Sequence, residues 1–142
     1  MVDKNIITMR ISKIKEATEL LSFIKEVDRG DFVKNPDLFL KAERLVEIIV
    51  QSMIDIGSHI IASESLKKPE NYGEIFEVLA QNSIINDSLM MKVKLLAGLR
   101  NILAHDYLET NHGQLFDNLN AHMGDFMEFC SQIAKYISDD AK

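Results

Sequence analysis

Glycine and proline are scarce in this chain, at six and two in 142 residues, and tryptophan is absent. An all-β fold needs turn residues every few positions, so this scarcity argues against a sandwich or barrel. The single cysteine, Cys130, excludes an intrachain disulfide, nothing in its spacing suggests a thiolate metal site, and it fits a reducing cytoplasm. No run has the roughly 18 consecutive apolar residues of a membrane span. The opening MVDKNIITMRISKIKEA carries charges every few positions, where a signal peptide has a continuous apolar stretch. The expected protein is soluble and cytoplasmic, with no membrane partner. Positive charge is also short: 16 Lys and Arg stand against 22 Asp and Glu, a net charge of −6 that argues against a surface built for non-specific nucleic-acid binding.

What is present points to helices. The chain is 46% hydrophobic and 27% charged, a balance that supports a real core, and its length suits one domain spanning 1–142. Leu, Ile, Glu and Lys are abundant, a composition that favours helices. Five helices are expected. The first runs from about Asn5 to Arg29, with Ile14, Ala17, Leu21 and Ile24 at helical spacing and Gly30 as its stop. Asn35-Pro36 reads as an N-cap followed by proline at the first helical position, opening a second helix to about Ser63. Its apolar residues cover a broad arc, which makes it the central helix. Asn71–Asn82 form a short third helix. The fourth is capped by Asp87 and runs from Leu89 to about Tyr107, and the fifth runs from about His112 to Ser138. The expected fold is all-α, an antiparallel four-helix bundle with one additional short helix.

The fourth helix holds the unusual chemistry. On a wheel of about 100° per residue with Arg100 at zero, Leu95, Leu96, Leu99, Ile102 and Leu103 fall between about 200° and 320°, the expected core face. The opposite arc mixes Arg100, Asn101, His105, Lys94 and Tyr107 with Ala97, Gly98 and Ala104, small residues that permit close approach of a partner helix, a second copy or a ligand. Between Met90 and His105 the only formal charges are Lys92, Lys94 and Arg100, so this stretch is positive within an acidic chain. Such a group suits phosphodiester cleavage without a metal. An imidazole titrates near neutrality, a guanidinium fork matches phosphate oxygens, and RNA brings its own 2′-OH nucleophile. Spacing alone also fits the bland alternative of a surface ion pair or cap.

The stretch RNILAHDY resembles the R-x4-H-x-Y motif of the HepT-like toxins, a branch of the HEPN superfamily of α-helical ribonucleases. RLVEIIVQSMIDIGSHIIA, KKPENYGEIFEVLAQNSIIND, KLLAGLRNILAHDYLE and LFDNLNAHMGDFMEFCSQI are similar to successive segments of that family, over most of residues 36–137. The resemblance implies a HEPN-like fold and a toxin of a toxin-antitoxin system that cleaves RNA at a homodimer cleft without metal or other cofactor. It places Arg100 and His105 in the catalytic positions, with Asn101 as the polar residue after the arginine. It implies a cognate MNT-type nucleotidyltransferase antitoxin that silences the toxin by AMPylation of Tyr107. Gly73 after Tyr72 and the acidic net charge depart from the pattern. The alternative is a non-catalytic helical module that binds a nucleotide or docks a nucleotidyltransferase.

Other candidates weigh toward structure. His59 stands four residues after Asp55, a spacing compatible with a metal, but no ExxH pairs exist to complete a carboxylate centre, so a structural hydrogen bond is expected. His122 reads as structural and His112 as a helix-start residue. The seven methionines read as core filling. Lys13, Lys15, Lys67 and Lys68 read as solvated charges that could track an RNA backbone.

Overall fold

The structure, a computed structural model, describes the backbone at residues 2–105 and 111–140 and the side chains at 2–98 and 111–139. Six helices follow one another: α1 (Lys4–Leu21), α2 (Arg29–Lys34), α3 (Pro36–Ser63), α4 (Tyr72–Gln81), α5 (Asp87–His105) and α6 (His112–Asp140), with a 3-10 turn at Ser22–Lys25. Four are long and two short, and no strand occurs among the described residues.

The start of each long helix is written in its cap. Asp3 accepts the backbone N–H groups of Asn5 and Ile6, and Asn35 accepts that of Asp37 ahead of Pro36. Asn86, rather than Asp87, caps α5 by accepting the Leu89 N–H at 2.8 Å, and Asp87 is the first helical residue, where its charge suits the helix dipole. Asn111 caps α6 through the Gln114 N–H, so His112 is the helix-start residue that the sequence indicates.

The expected long first helix is broken. It ends at Leu21, where the Ser22 hydroxyl donates back to the Glu19 carbonyl at 2.6 Å. The chain then turns, and Gly30 lies in the first turn of α2 instead of closing α1. The break lets Ile24 and Phe32 both become fully buried, with Phe32 5.3 Å from Phe116 between ring centres.

α3 is the hub: it touches α1, α2, α4, α5 and α6. Its hydropathy and 28-residue length would suit a membrane span, contrary to the expectation that no run qualifies, but 61% of its most apolar window is buried by the other helices. Arg10 meets Asp55 while Asp3 meets His59, so numbers rise along α1 as they fall along α3 and the two are antiparallel. Asn86 with Gln132 and Lys92 with Asp125 show the same for α5 and α6. Phe76, Phe126 and Phe129 fill the centre, with Phe76 set edge-on to Phe129.

Scarce glycine has a visible consequence. α3 and α4 both end in a Schellman motif: Leu66 and Ile84 return their N–H groups to Ile61 and Leu79, each at 2.9 Å. The left-handed position of each motif, usually glycine, is Ser65 (φ 55°) and Ser83 (φ 58°). Gly57 is instead spent on close packing, since a Cβ there would collide with Ile75 and lie 3.4 Å from Leu79 Cδ1. The two kinds of site predict opposite signs. Ser65→Gly and Ser83→Gly should each stabilise by about 0.5–1 kcal/mol by removing left-handed strain. Gly57→Ala should destabilise by about 1–2 kcal/mol through overpacking between α3 and α4. Urea unfolding midpoints at unchanged m-value check both.

Candidate functional site

The motif lies on the last turns of α5. Arg100, Asn101 and His105 belong to its helical backbone, but their side chains, and the whole of Tyr107, lie outside the described residues. The described part of the same helix corrects the expected faces. Leu89, Val93, Leu96 and Ala97 are buried, whereas Leu95 is 68% exposed and Met91 60% exposed. On the wheel used above, the buried set centres near 0°, and Met91, Leu95 and Gly98 lie between about 160° and 220°. Ala97 therefore packs in the core instead of bordering an open arc, and Leu95 leaves it. α5 carries apolar residues almost all round, so periodicity alone could not choose between its faces.

The outward stripe of α5 forms one wall of a groove of about 600 Å³, and Gln114, Asn118 and His122 of α6 form the other. These three polar residues recur every four positions, one face of a helix. His122, expected to be structural, is a groove residue. Its Nδ1 lies 3.0 Å from Asp125 Oδ2, and Asp125 Oδ1 lies 3.8 Å from Lys92 Nζ. The sequence signal for this was the H-x-x-D spacing, which on a helix puts the carboxylate beside the ring. Lys94 pairs with Glu77 of α4. The positive stretch seen in the sequence is thus largely compensated, with Lys92 and Lys94 both paired to carboxylates from neighbouring helices.

The first turn of α6, beyond the motif, is held from several sides. The ring of His112 stacks on Phe39 of α3 at 3.7 Å and 13°. Its Nδ1 sits 3.4 Å from Glu43 Oε1, within ion-pair range but without hydrogen-bond geometry, and has no other partner among the described residues. Burial raises the pKa of Glu43; the nearby His112 charge opposes this and Glu47 adds to it. Arg29 of α2 grips Asp117 with two hydrogen bonds of 3.0 and 3.1 Å, and its guanidinium covers Gly113.

The remaining candidates resolve as structural. His59 Nε2 accepts the Asp3 N–H at 3.0 Å, tying the start of α1 to α3. Asp55 is engaged by Arg10 and by the Gln51 amide. Lys67 pairs with Glu74 of α4. Cys130 is buried, and burial pushes its thiol up to about 11, so it is unreactive at neutral pH.

Comparison with known proteins bears on this arrangement. The family described as "Ribonuclease HepT-like" matches residues 12–133. The chain is 34% identical over 105 residues to the mRNA nuclease HepT of Shewanella oneidensis, covering 74% of this chain and 76% of that protein. It is 26% identical over 136 residues to the tRNA nuclease HepT of Aphanizomenon flos-aquae, covering 96% and 92%. Among solved structures, the tri-AMPylated Shewanella oneidensis HEPN toxin in complex with MNT antitoxin superposes with a TM-score of 0.84 at 30% identity, covering 95% of this chain and 99% of that one. With its six-helix architecture and its match along nearly the whole bundle, the chain belongs to the HepT-like ribonuclease family.

Proposed function

We propose that this chain is a metal-independent endoribonuclease toxin acting as a homodimer, as one domain over residues 1–142 in the cytoplasm. The reading is carried by one observation: Arg100, Asn101 and His105 fall within the last two turns of a helix whose outward face, Met91, Leu95 and Gly98, is apolar and open. A second copy laid on that face would bring the two His105 positions, at about 140° on the same wheel, toward each other. His105 would then serve as acid or base on either side of the cleft, and Arg100 would neutralise charge developing at phosphorus while the RNA 2′-OH attacks. Asn101 would orient the phosphate. RNA contact concentrates at this cleft because the net charge is −6 and several outer cations are paired.

We further propose that an MNT-type nucleotidyltransferase acts as antitoxin by transferring AMP to Tyr107. Support comes from the AMPylated, antitoxin-bound state of the similar Shewanella oneidensis HEPN toxin. The tyrosine lies two residues beyond His105, so a bulky anion there would occupy the space that the scissile phosphate needs.

Purified protein should cleave RNA in EDTA and leave 2′,3′-cyclic phosphate ends. His105→Ala should slow cleavage by about 10²–10⁴-fold, and equal cleavage by this variant would remove the catalytic assignment. Leu95→Glu should convert a dimer to a monomer in light scattering and abolish cleavage, because a carboxylate would be buried without a partner; a dimer that persists would place the interface elsewhere. Co-expression with a minimal nucleotidyltransferase should add the mass of one or more AMP groups, lost in Tyr107→Phe. An unchanged intact mass in the wild type would count against that regulation.

A further inference from the structure

We infer that Phe39, Glu43 and His112 form a positioning latch for the proposed ribonuclease, fixing where α6 begins and thereby where the short connection from the motif helix must end. The inference rests on the ribonuclease reading for its functional consequence, but not for its geometry. α5 ends at His105 and the α6 cap is Asn111, so only a few residues separate the motif histidine from the latched turn.

Three features separate the latch from ordinary packing. The imidazole is sandwiched between an aromatic ring and a carboxylate, a contact that fixes both its tilt and its depth. Its Nδ1 is buried without a hydrogen-bond partner among the described residues, although Glu43 Oε1 is only 3.4 Å away. The contact therefore holds by proximity and charge rather than by a formed hydrogen bond. Third, Glu43 is kept where burial disfavours its charge, and a glutamine of nearly equal size would carry no such penalty. A carboxylate that costs stability is a mark of a working group. The charged neighbours at this end are Glu47 on α3, itself paired with Arg44, and Arg29 on α2, paired with Asp117. The Arg29 clamp holds the next turn of α6, so movement at the latch is confined to its first residues.

The sign of the linkage makes the test specific. Glu43 has a folded value above the ordinary 4.5, so stability from its protonated form is fully present below that pH and lost as pH rises through the raised value. Glu43→Gln removes this loss, and its Tm relative to wild type should climb as pH rises above 4.5. The same variant should lower kcat on a single-stranded RNA oligonucleotide by about tenfold with KM unchanged, since misplacement rather than binding is affected. Its backbone amides at 105–115 should exchange hydrogen faster. His112→Gln should act alike, and the double variant should be no slower than either single one, because both interrupt one contact. Unchanged amide exchange at 105–115 in Glu43→Gln would overturn the latch whatever the rates. A kcat equal to that of wild type in both variants would remove its role in catalysis. If the wild type cleaves no RNA, the ribonuclease reading fails by itself, and amide exchange still decides whether the latch exists.

Discussion

Everything in this bundle is arranged around the burial of α3. Twelve of its residues are buried, from Ala42 to Ile61, and five other helices press on it. A helix so enclosed has little room for unpaired polar groups, since each would lose water without gaining a partner. Three polar residues on its margins are engaged. His59 takes the Asp3 N–H, Asp55 takes Arg10, and Glu43 faces His112. The chemistry of the molecule is thereby pushed away from its centre, onto α5 and the end of the bundle where α2, α3 and α6 meet.

That displacement explains which parts of the fold were legible in the sequence. Asn35-Pro36, Asn71 and the periodic run from Leu115 to Ile137 predict their helices closely, because caps and core stripes are local signals. The division of the first helix was hidden, because Ile24 and Phe32 continue a plausible helical pattern and only packing against Phe116 shows that the chain must fold over. Gly30 looks like a stop because helix C-termini commonly use glycine, yet this chain gives that place to Ser65 and Ser83 and keeps Gly57 for helix contact. A residue chosen for what it lacks can serve either purpose, and its neighbours in space decide which.

Charge shows the same dependence on neighbours. Lys92 and Lys94 look like a basic patch when only their own helix is read. Asp125 and Glu77 arrive from α6 and α4 and largely compensate them. An RNA strand approaching this surface meets ion pairs rather than a field of free cations, so attraction at long range is weak and recognition falls to short-range contacts.

The site itself was half legible, for a reason that lies in α5. Arg100, Asn101 and His105 stand out as a group in the sequence, and their backbone lies on the last turns of α5. The faces of that helix could not be assigned, because Leu95 is as apolar as Leu96 and Ala97 as small as Gly98, while burial separates the members of each pair. In a monomer such a helix is frustrated, burying one apolar stripe and exposing another formed by Met91 and Leu95. In the proposed homodimer an identical helix would cover the second stripe and remove the frustration, and the two-fold symmetry would set one His105 position toward the other. Apolar residues that obscure the inward face of α5 are, on this view, the same residues that assemble the site.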